Sequence, residues 1–221
     1  LALRAAQKNS IEQTTHLLYK GLNQVNKLNR LAKDLLDSSR LQAGKMVYNF
    51  SVFNCKEFLK QTIENVKYTF PERKISCNSD IEVLIEGDQE RLEQVLTNYL
   101  TNALKYSPAT SEVIVYTEVK EGRQLTIYVK DFGTGIYPEM QHHIFQKYYR
   151  VKDSKNTHQG LGMGLFICSQ IISYHQGEFG LESEIGKGSV FYFSLPIKAK
   201  QDKLRASIKP NVKKNQSSPT R

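Results

Sequence analysis

Cysteine is scarce in this 221-residue chain: Cys55, Cys77 and Cys168 are odd in number and widely separated. No C-x-x-C pair occurs, so neither a disulfide framework nor a zinc site is indicated, and a reducing compartment is the default expectation. No apolar run approaches the roughly 18 residues that a membrane-spanning helix needs, and no secretory leader is visible. Internal repeats are absent as well. Positive charge is plentiful, +9 in formal terms, but it is concentrated. From Lys198 onward eight Lys or Arg stand against one Asp, a local +7, which leaves +2 (9 − 7) for the preceding 197 residues. That end, rich in Lys, Ser, Asn and Pro, reads as a solvated tail with too little apolar surface to fold. An electrostatic anchor for acidic lipid or nucleic acid is the alternative.

The length and a hydrophobic fraction of 39% suffice for a proper core. Residues 11–42 contain no Pro and a single Gly, and Ile11, Leu18, Val25 and Ala32 recur every seven positions, flanked by Leu22, Leu28, Leu35 and Leu36. Such a stripe predicts a long helix for a helical hairpin or a dimeric bundle; an amphipathic helix packed on its own domain is the plainer alternative. Gly44 is its expected stop. A short strand near 46–53, a helix over 55–70 and two short strands over 73–86 follow. Asp88 is expected to cap a helix running to about Lys105. Alternation on both sides of Glu121-Gly122 predicts a β-hairpin. A short helix near 138–146, a polar glycine-rich stretch, a helix from Gly164 to His175 stopped by Gly177, and two final strands complete the chain. Helices mixed with mostly antiparallel strands predict an α+β fold: a two-layer α/β sandwich, a mixed sheet packed on helices, preceded by a long helix.

Four stretches carry chemistry. In "RLEQVLTNYLTNALKYSP" the side chains of Gln94, Asn98 and Asn102 share one helix face, with Lys105 and Tyr106 at its end. Carboxamides with a terminal Lys suit a magnesium–polyphosphate group, since Mg²⁺ takes oxygen ligands and keeps several waters; Asn on a helix face is more often simply exposed. Asp131-Phe132-Gly133 spells the metal-holding triplet of eukaryotic-type protein kinases, yet no H-R-D-x-x-x-x-N loop or V-A-I-K lysine precedes it. The useful pattern is Asp131-x-Gly133-x-Gly135 directly after a strand. The glycines let backbone approach a flat ligand, and the carboxylate accepts from an exocyclic amine such as adenine's; a tight hairpin exit is the bland reading. "GLGMGLFICSQII" places Gly160, Gly162 and Gly164 before a helix whose first N–H groups form an anion site. It follows no strand and lacks a G-K-[ST] ending, so it is neither a dinucleotide fingerprint nor a P-loop. Phe145, Tyr149 and Arg150 precede that loop, the Arg suited to polyphosphate and the aromatics also to ordinary packing.

Together "QVLTNYLTNALKYSP", "DFGTG", "FQKYYR" and "GLGMGL" resemble, in order and spacing, the nucleotide boxes of sensor histidine kinases, whose catalytic domain is shared with gyrase, MutL and heat-shock chaperone ATPases. "LNRLAKDLLDSSRLQAGK" resembles the second helix of that family's dimerisation and phosphoacceptor hairpin. The resemblance implies residues 1–45 as part of this stem, 46–197 as the ATP-binding domain and 198–221 as the tail. It implies ATP and Mg²⁺ as ligands, with Asn98 on the metal and Asn102, Lys105 and Tyr106 around the phosphates. Asp131 would read the adenine amine, with Gly133, Gly135 and Ile136 shaping the pocket. Residues from about Gln146 to Gly164 would be the lid that orders over the nucleotide; Tyr149, Arg150, Gly160, Leu161, Gly162, Met163, Gly164 and Leu165 would bind it, Arg150 approaching the γ-phosphate, and Ser189 with Gly188 would close the adenine side. Asn98, Asn102, Lys105 and Arg150 are the expected catalytic set.

Two departures qualify the resemblance. The ATP-hydrolysing relatives place a water-activating Glu one helical turn before the magnesium Asn; here that position is Gln94, which has no useful basicity. The acceptor pattern, His followed by Glu or Asp and then Pro, is missing from the surroundings of His16, His142, His143, His158 and His175. "LALRAA" resembles the end of the first stem helix, so the acceptor His is expected ahead of Leu1 and the chain is expected to be a piece of a longer protein. Implied partners are a second copy through the stem and a response-regulator receiver domain, with no nucleic acid and with membrane contact only through segments outside this sequence.

Overall fold

The structure, a computed structural model, describes residues 2–150 and 161–197. The basic tail, Gly160 and His158 therefore lie outside the described residues, as do the side chains of Ile11 and His16. Helix α1 (Ala2–Gln42) is one unbroken rod. The break expected between "LALRAA" and Ile11 is not there. Nothing in that segment is a Gly or Pro, so local propensity carries the helix straight through. At the other end Gly44 adopts φ +62°, and Lys45 N–H donates to the Arg40 carbonyl at 2.9 Å while Gly44 N–H donates to that of Leu41 at 3.1 Å. This is the left-handed cap that only a residue without Cβ takes at no cost.

Strand β1 (Ser51–Asn54) leads into α2 (Cys55–Thr69), whose first N–H groups are taken by Asn54 Oδ1, at 2.8 Å from Lys56 N. Strands β2 (Lys74–Asn78) and β3 (Leu84–Gly87) follow, then α3 (Gln89–Tyr106). Asp88 caps α3 as expected, accepting from Arg91 N at 3.1 Å, and also receives Asn49 N at 2.8 Å on its other oxygen. One capping residue thus fixes both a helix start and the segment arriving from the stem. Strands β4 (Glu112–Lys120) and β5 (Gln124–Lys130) form the expected hairpin, its turn held by positive φ at Glu121 and Gly122.

Of the helix expected near 138–146 only α4 (Pro138–Gln141) is regular; hydrogen-bonded turns at His143 and Gln146 continue it. Helix α5 (Gly164–Tyr174), β6 (Phe179–Glu184) and β7 (Gly188–Pro196) complete the fold. The left-handed residue after α5 is Gln176 (φ +57°), not Gly177. A Cβ on Gly177 would run into the Ser194 carbonyl, so that glycine serves a close backbone approach and not a helix stop.

The main sheet has the order β2-β4-β5-β7-β6, with β2 parallel to β4 and the remaining pairs antiparallel; β1 and β3 form a separate antiparallel pair. Alternate residues point inward, as the period of two demands. Val113 and Val115 from β4, Leu125, Ile127 and Val129 from β5, and Phe193 and Leu195 from β7 are all buried without remainder. Against them pack Leu59 and Ile63 of α2, Leu92, Leu96 and Leu100 of α3 and Ile167 and Ile171 of α5. The opposite sheet face carries Tyr116 stacked on Tyr128 at 4.6 Å. The expected two-layer sandwich is what the chain forms.

Helix α1 meets this sandwich through a small polar network. Asp37, 2% exposed, accepts from Arg91 Nη1 at 3.0 Å and from Gln94 Nε2 at 3.1 Å. By contrast the apolar stripe farther along α1 is uncovered: Leu17, Leu18, Leu22, Val25, Leu28, Leu35 and Leu36 are each more than half exposed.

Candidate functional site

Helices α3 and α5, the exit of β5 and the start of β7 converge on a cavity of about 500 Å³, within the range of a small-ligand pocket. Asp131 sits where β5 ends, 4% exposed. Its backbone N–H donates to the Ser189 carbonyl at 2.8 Å, which extends the β5–β7 ladder by one bond, and its Oδ1 accepts from Gly133 N at 2.8 Å. Burial pushes its carboxyl above the ordinary value, against a smaller opposing pull from the backbone N–H groups of Gly133 and Ser189. Two carboxylate oxygens offer about four acceptor directions, so those bonds leave room for an amine from a ligand.

Two glycines shape the wall around this carboxylate. Gly135 has φ +72°, and a Cβ there would strike the Glu184 carbonyl; Gly188 has φ +102°, and a Cβ there would strike the carbonyl of Asp131 itself. Gly133 does not line the cavity. It stands behind Asp131, where a Cβ would meet the Tyr106 carbonyl, and its contribution is the N–H it gives to Oδ1. Ile136 and Ser189 do line the wall.

On the opposite side α3 presents Asn98, Asn102, Lys105 and Tyr106 to the same space. Asn98 Nδ2 donates to Cys168 Sγ at 3.1 Å, and Asn98 Oδ1 accepts from Asn102 Nδ2 at 3.4 Å. Lys105 Nζ lies 3.0 Å from the Tyr106 hydroxyl. The first turn of α5 completes this end. Its N-cap, Met163, makes no side-chain cap hydrogen bond, so the leading N–H groups are left for an anion. Tyr149, Arg150, Leu161, Gly162, Met163, Gly164 and Leu165 line the rim and wall, and Tyr148 N–H donates to the Gly162 carbonyl at 3.0 Å, tying the segment after α4 to the one that leads into α5.

Apart from Gly133, and from Gly160, which lies outside the described residues, the residues expected from sequence line one cavity, but part of its walls went unanticipated. Thr97 and Thr101 belong to the same α3 face, and their spacing with Asn98 and Asn102 is signal enough. Ile144, Ile167 and Phe191 form the apolar lining but read in sequence as ordinary core. Lys33 and Asp34 reach the mouth from α1, and only tertiary packing brings them there.

Comparison with known proteins bears on this geometry. Residues 87–199 match the family described as Histidine kinase-, DNA gyrase B-, and HSP90-like ATPase. The chain belongs to this family. It is 32% identical over 196 residues to the adaptive-response sensory kinase SasA of Thermosynechococcus vestitus, covering 87% of this chain and 51% of that protein. It is 34% identical over 181 residues to the sensor protein SrrB of Staphylococcus aureus, covering 79% of this chain and 30% of that one. The chain thus spans about half the length of the first relative and less of the second. The crystal structure of full-length ShkA in complex with AMPPNP superposes with a TM-score of 0.68 at 25% identity, over 78% of this chain and 36% of that one. The sandwich is a histidine kinase catalytic domain, an ATP-binding fold of two-component sensors.

Within that family Gln94 occupies the position where, by resemblance, the hydrolysing relatives carry Glu. Both ends of its amide are engaged, Nε2 with Asp37 and Oε1 with Arg91 Nη1 at 3.0 Å. The position ties α3 to α1 and presents no base. Among the described residues no helix is long and apolar enough to cross a membrane, and no group of three or more His, Cys, Asp or Glu could hold a metal.

Proposed function

We propose that the chain is the ATP-dependent catalytic region of a sensor histidine kinase, which passes the γ-phosphoryl of ATP to a stem histidine and thence to an aspartate of a response regulator. The reading rests on one juxtaposition: a buried carboxylate and an amide-bearing helix face share a single cavity. Adenine enters between the glycines, its exocyclic amine donating to Asp131. The triphosphate lies toward the first turn of α5, where N–H groups, Lys105 and Arg150 balance its charge.

The residues also fit Mg²⁺. Asn98 Oδ1 is a hard oxygen at the phosphate end, and a cation held mainly by phosphates and water needs little more from the protein. When bound, the metal supplies positive charge against the charge that develops on the transferring phosphoryl group. A histidine nitrogen attacks phosphorus, the bond to the bridging β–γ oxygen breaks, and ADP leaves. Positioning and charge stabilisation carry such a transfer, which suits a site where Gln94 replaces the water-activating Glu. An ATP-hydrolysing machine is the reading this residue disfavours. The exposed leucine stripe of α1 supports pairing with a second copy through the stem, and the cytoplasm is the compartment in which ATP and a response regulator are both found.

None of the five histidines has an acceptor context, so the chain alone binds ATP without phosphorylating itself. Incubation with labelled ATP and a supplied stem segment carrying the acceptor yields acid-labile phosphohistidine, and Asn98→Ala abolishes it. Transfer that survives Asn98→Ala, or steady ATP turnover with no acceptor present, would overturn the assignment.

A further inference from the structure

The thiol of Cys168 has no part in the function proposed above, yet it touches the side chain on which that function depends. Cys168 lies on α5, fully buried, one helical turn beyond Gly164. Asn98 Nδ2 donates to its Sγ at 3.1 Å. At the other end of the same carboxamide, Oδ1 receives Asn102 Nδ2 at 3.4 Å. Gly164 closes the third side, since a Cβ there would stand 2.6 Å from Asn98 Nδ2. The amide of Asn98 is thus confined, and the sulfur distinguishes its nitrogen end from its oxygen end.

That distinction matters because the two ends have nearly the same shape and opposite chemistry. The NH₂ group only donates, whereas a hard divalent cation needs the oxygen. The terminal torsion of Asn is broad and has two nearly equivalent orientations, so packing alone does not choose between them. The contacts here do: a flip would set the NH₂ against the Asn102 donor and leave Oδ1 only the weak S–H donor of the thiol.

We infer that Cys168 is a positioning residue of the phosphoryl-transfer site: its sulfur holds the nitrogen end of the Asn98 carboxamide, turning Oδ1 toward the place a divalent cation takes beside the nucleotide. The inference rests on the proposed role of Asn98 as the metal ligand. The test is therefore the metal dependence of nucleotide binding, measured as the ratio of AMPPNP dissociation constants in EDTA and in magnesium. Losing the acceptor forfeits about one hydrogen bond, so Cys168→Ala and the larger, acceptor-free Cys168→Val should lower this ratio about fivefold to tenfold. Metal-free affinity should stay within about twofold, a margin far below one hydrogen bond. Cys168→Ser, which keeps an acceptor, should restore most of the ratio. A Val variant with the wild-type ratio would overturn the inference, and so would a parallel fall in metal-free and metal-dependent affinity, which would mark Cys168 as packing only. Asn98→Ala separates the two levels: if it leaves the ratio unchanged, the metal-ligand assignment itself fails, whatever Cys168 does. The unsubstituted protein supplies an independent readout. The Asn98 side-chain NH₂ resonance, identified by its loss in Asn98→Ala, should exchange slowly with solvent before and after Mg²⁺·AMPPNP is added; exchange as fast as a free amide would also overturn the claim.

Discussion

Replacing Asp131 by Asn keeps the size of the side chain and changes only what it can accept. In the wild type, Oδ1 already takes the Gly133 N–H at 2.8 Å, and the proposed ligand amine is a second donor. An amide has one acceptor oxygen, so the variant serves one of these donors and turns its own NH₂ toward the other. The loss is then a full charge-assisted hydrogen bond, about 1.5–3 kcal/mol, or a roughly 10- to 150-fold weaker Mg²⁺·ATP complex by calorimetric titration. The same change should improve inosine triphosphate, which carries a carbonyl where adenine carries its amine. The wild type opposes that carbonyl with a carboxylate, and D131N offers it a donor. Stability moves the other way. Burial raises the folded-state carboxyl above its unfolded value, so the folded state binds the extra proton and stability declines as pH rises through that interval. At neutral pH the charged carboxylate is therefore a cost, and the D131N protein should melt no lower than the wild type. ATP affinity within about twofold of wild type, a margin below one hydrogen bond, or ATP and inosine triphosphate weakened alike, would refute the reasoning.

Three further outcomes follow from particular contacts. Gly164→Ala places a methyl against Asn98 Nδ2 while improving helix propensity by up to about 1 kcal/mol, so magnesium-dependent nucleotide binding should drop with the melting temperature nearly unchanged; intact binding would show that Asn98 does not need its present pose. Asp37→Ala removes the anionic partner of the nearly buried Arg91 guanidinium and leaves it the neutral Gln94 Oε1, a loss of up to about 3 kcal/mol at the junction, and trypsin should then cut faster within residues 43–50; an unchanged rate would show that the network does not hold α1. His175 should titrate below the ordinary histidine value: its Nε2 accepts from Asp88 N at 2.9 Å, its Nδ1 lies 2.7 Å from the Ile171 carbonyl, and burial lowers its pKa. Its neutral form thus contributes stability that is fully present above about 6.5 and is lost as pH falls from there through the lowered value; a His175 imidazole titrating normally by NMR would contradict this.

The sequence discloses more of the site than of its surroundings. Asn98 and Asn102 announce themselves because four-residue spacing on a helix is a direct statement about one face. Asp131 does so because glycines at 133 and 135 have little reason to follow a strand otherwise. Capping by Asp88 and Gly44 is equally plain, since local hydrogen bonding alone decides such positions. What stays hidden depends on partners distant in the chain. Gly177 reads in sequence as a helix stop, whereas its purpose is the approach of β7 to the chain after α5. Gln94 reads as a lost base, and its amide in fact joins Asp37 and Arg91. The apolar walls Ile144 and Phe191 carry no mark that separates a ligand-facing residue from a core one. The continuity of α1 through residues 7–10 runs against an expectation that came from resemblance, whereas the local sequence contains no breaker.

In the proposed function one cavity holds adenine at Asp131 and a metal-bound triphosphate at Asn98. A crystal structure of the chain with Mg²⁺ and AMPPNP tests it directly. The adenine amine should lie within hydrogen-bond distance of the Asp131 carboxylate and the metal on Asn98 Oδ1. A base lodged away from Asp131, or a metal that does not touch Asn98, would contradict it.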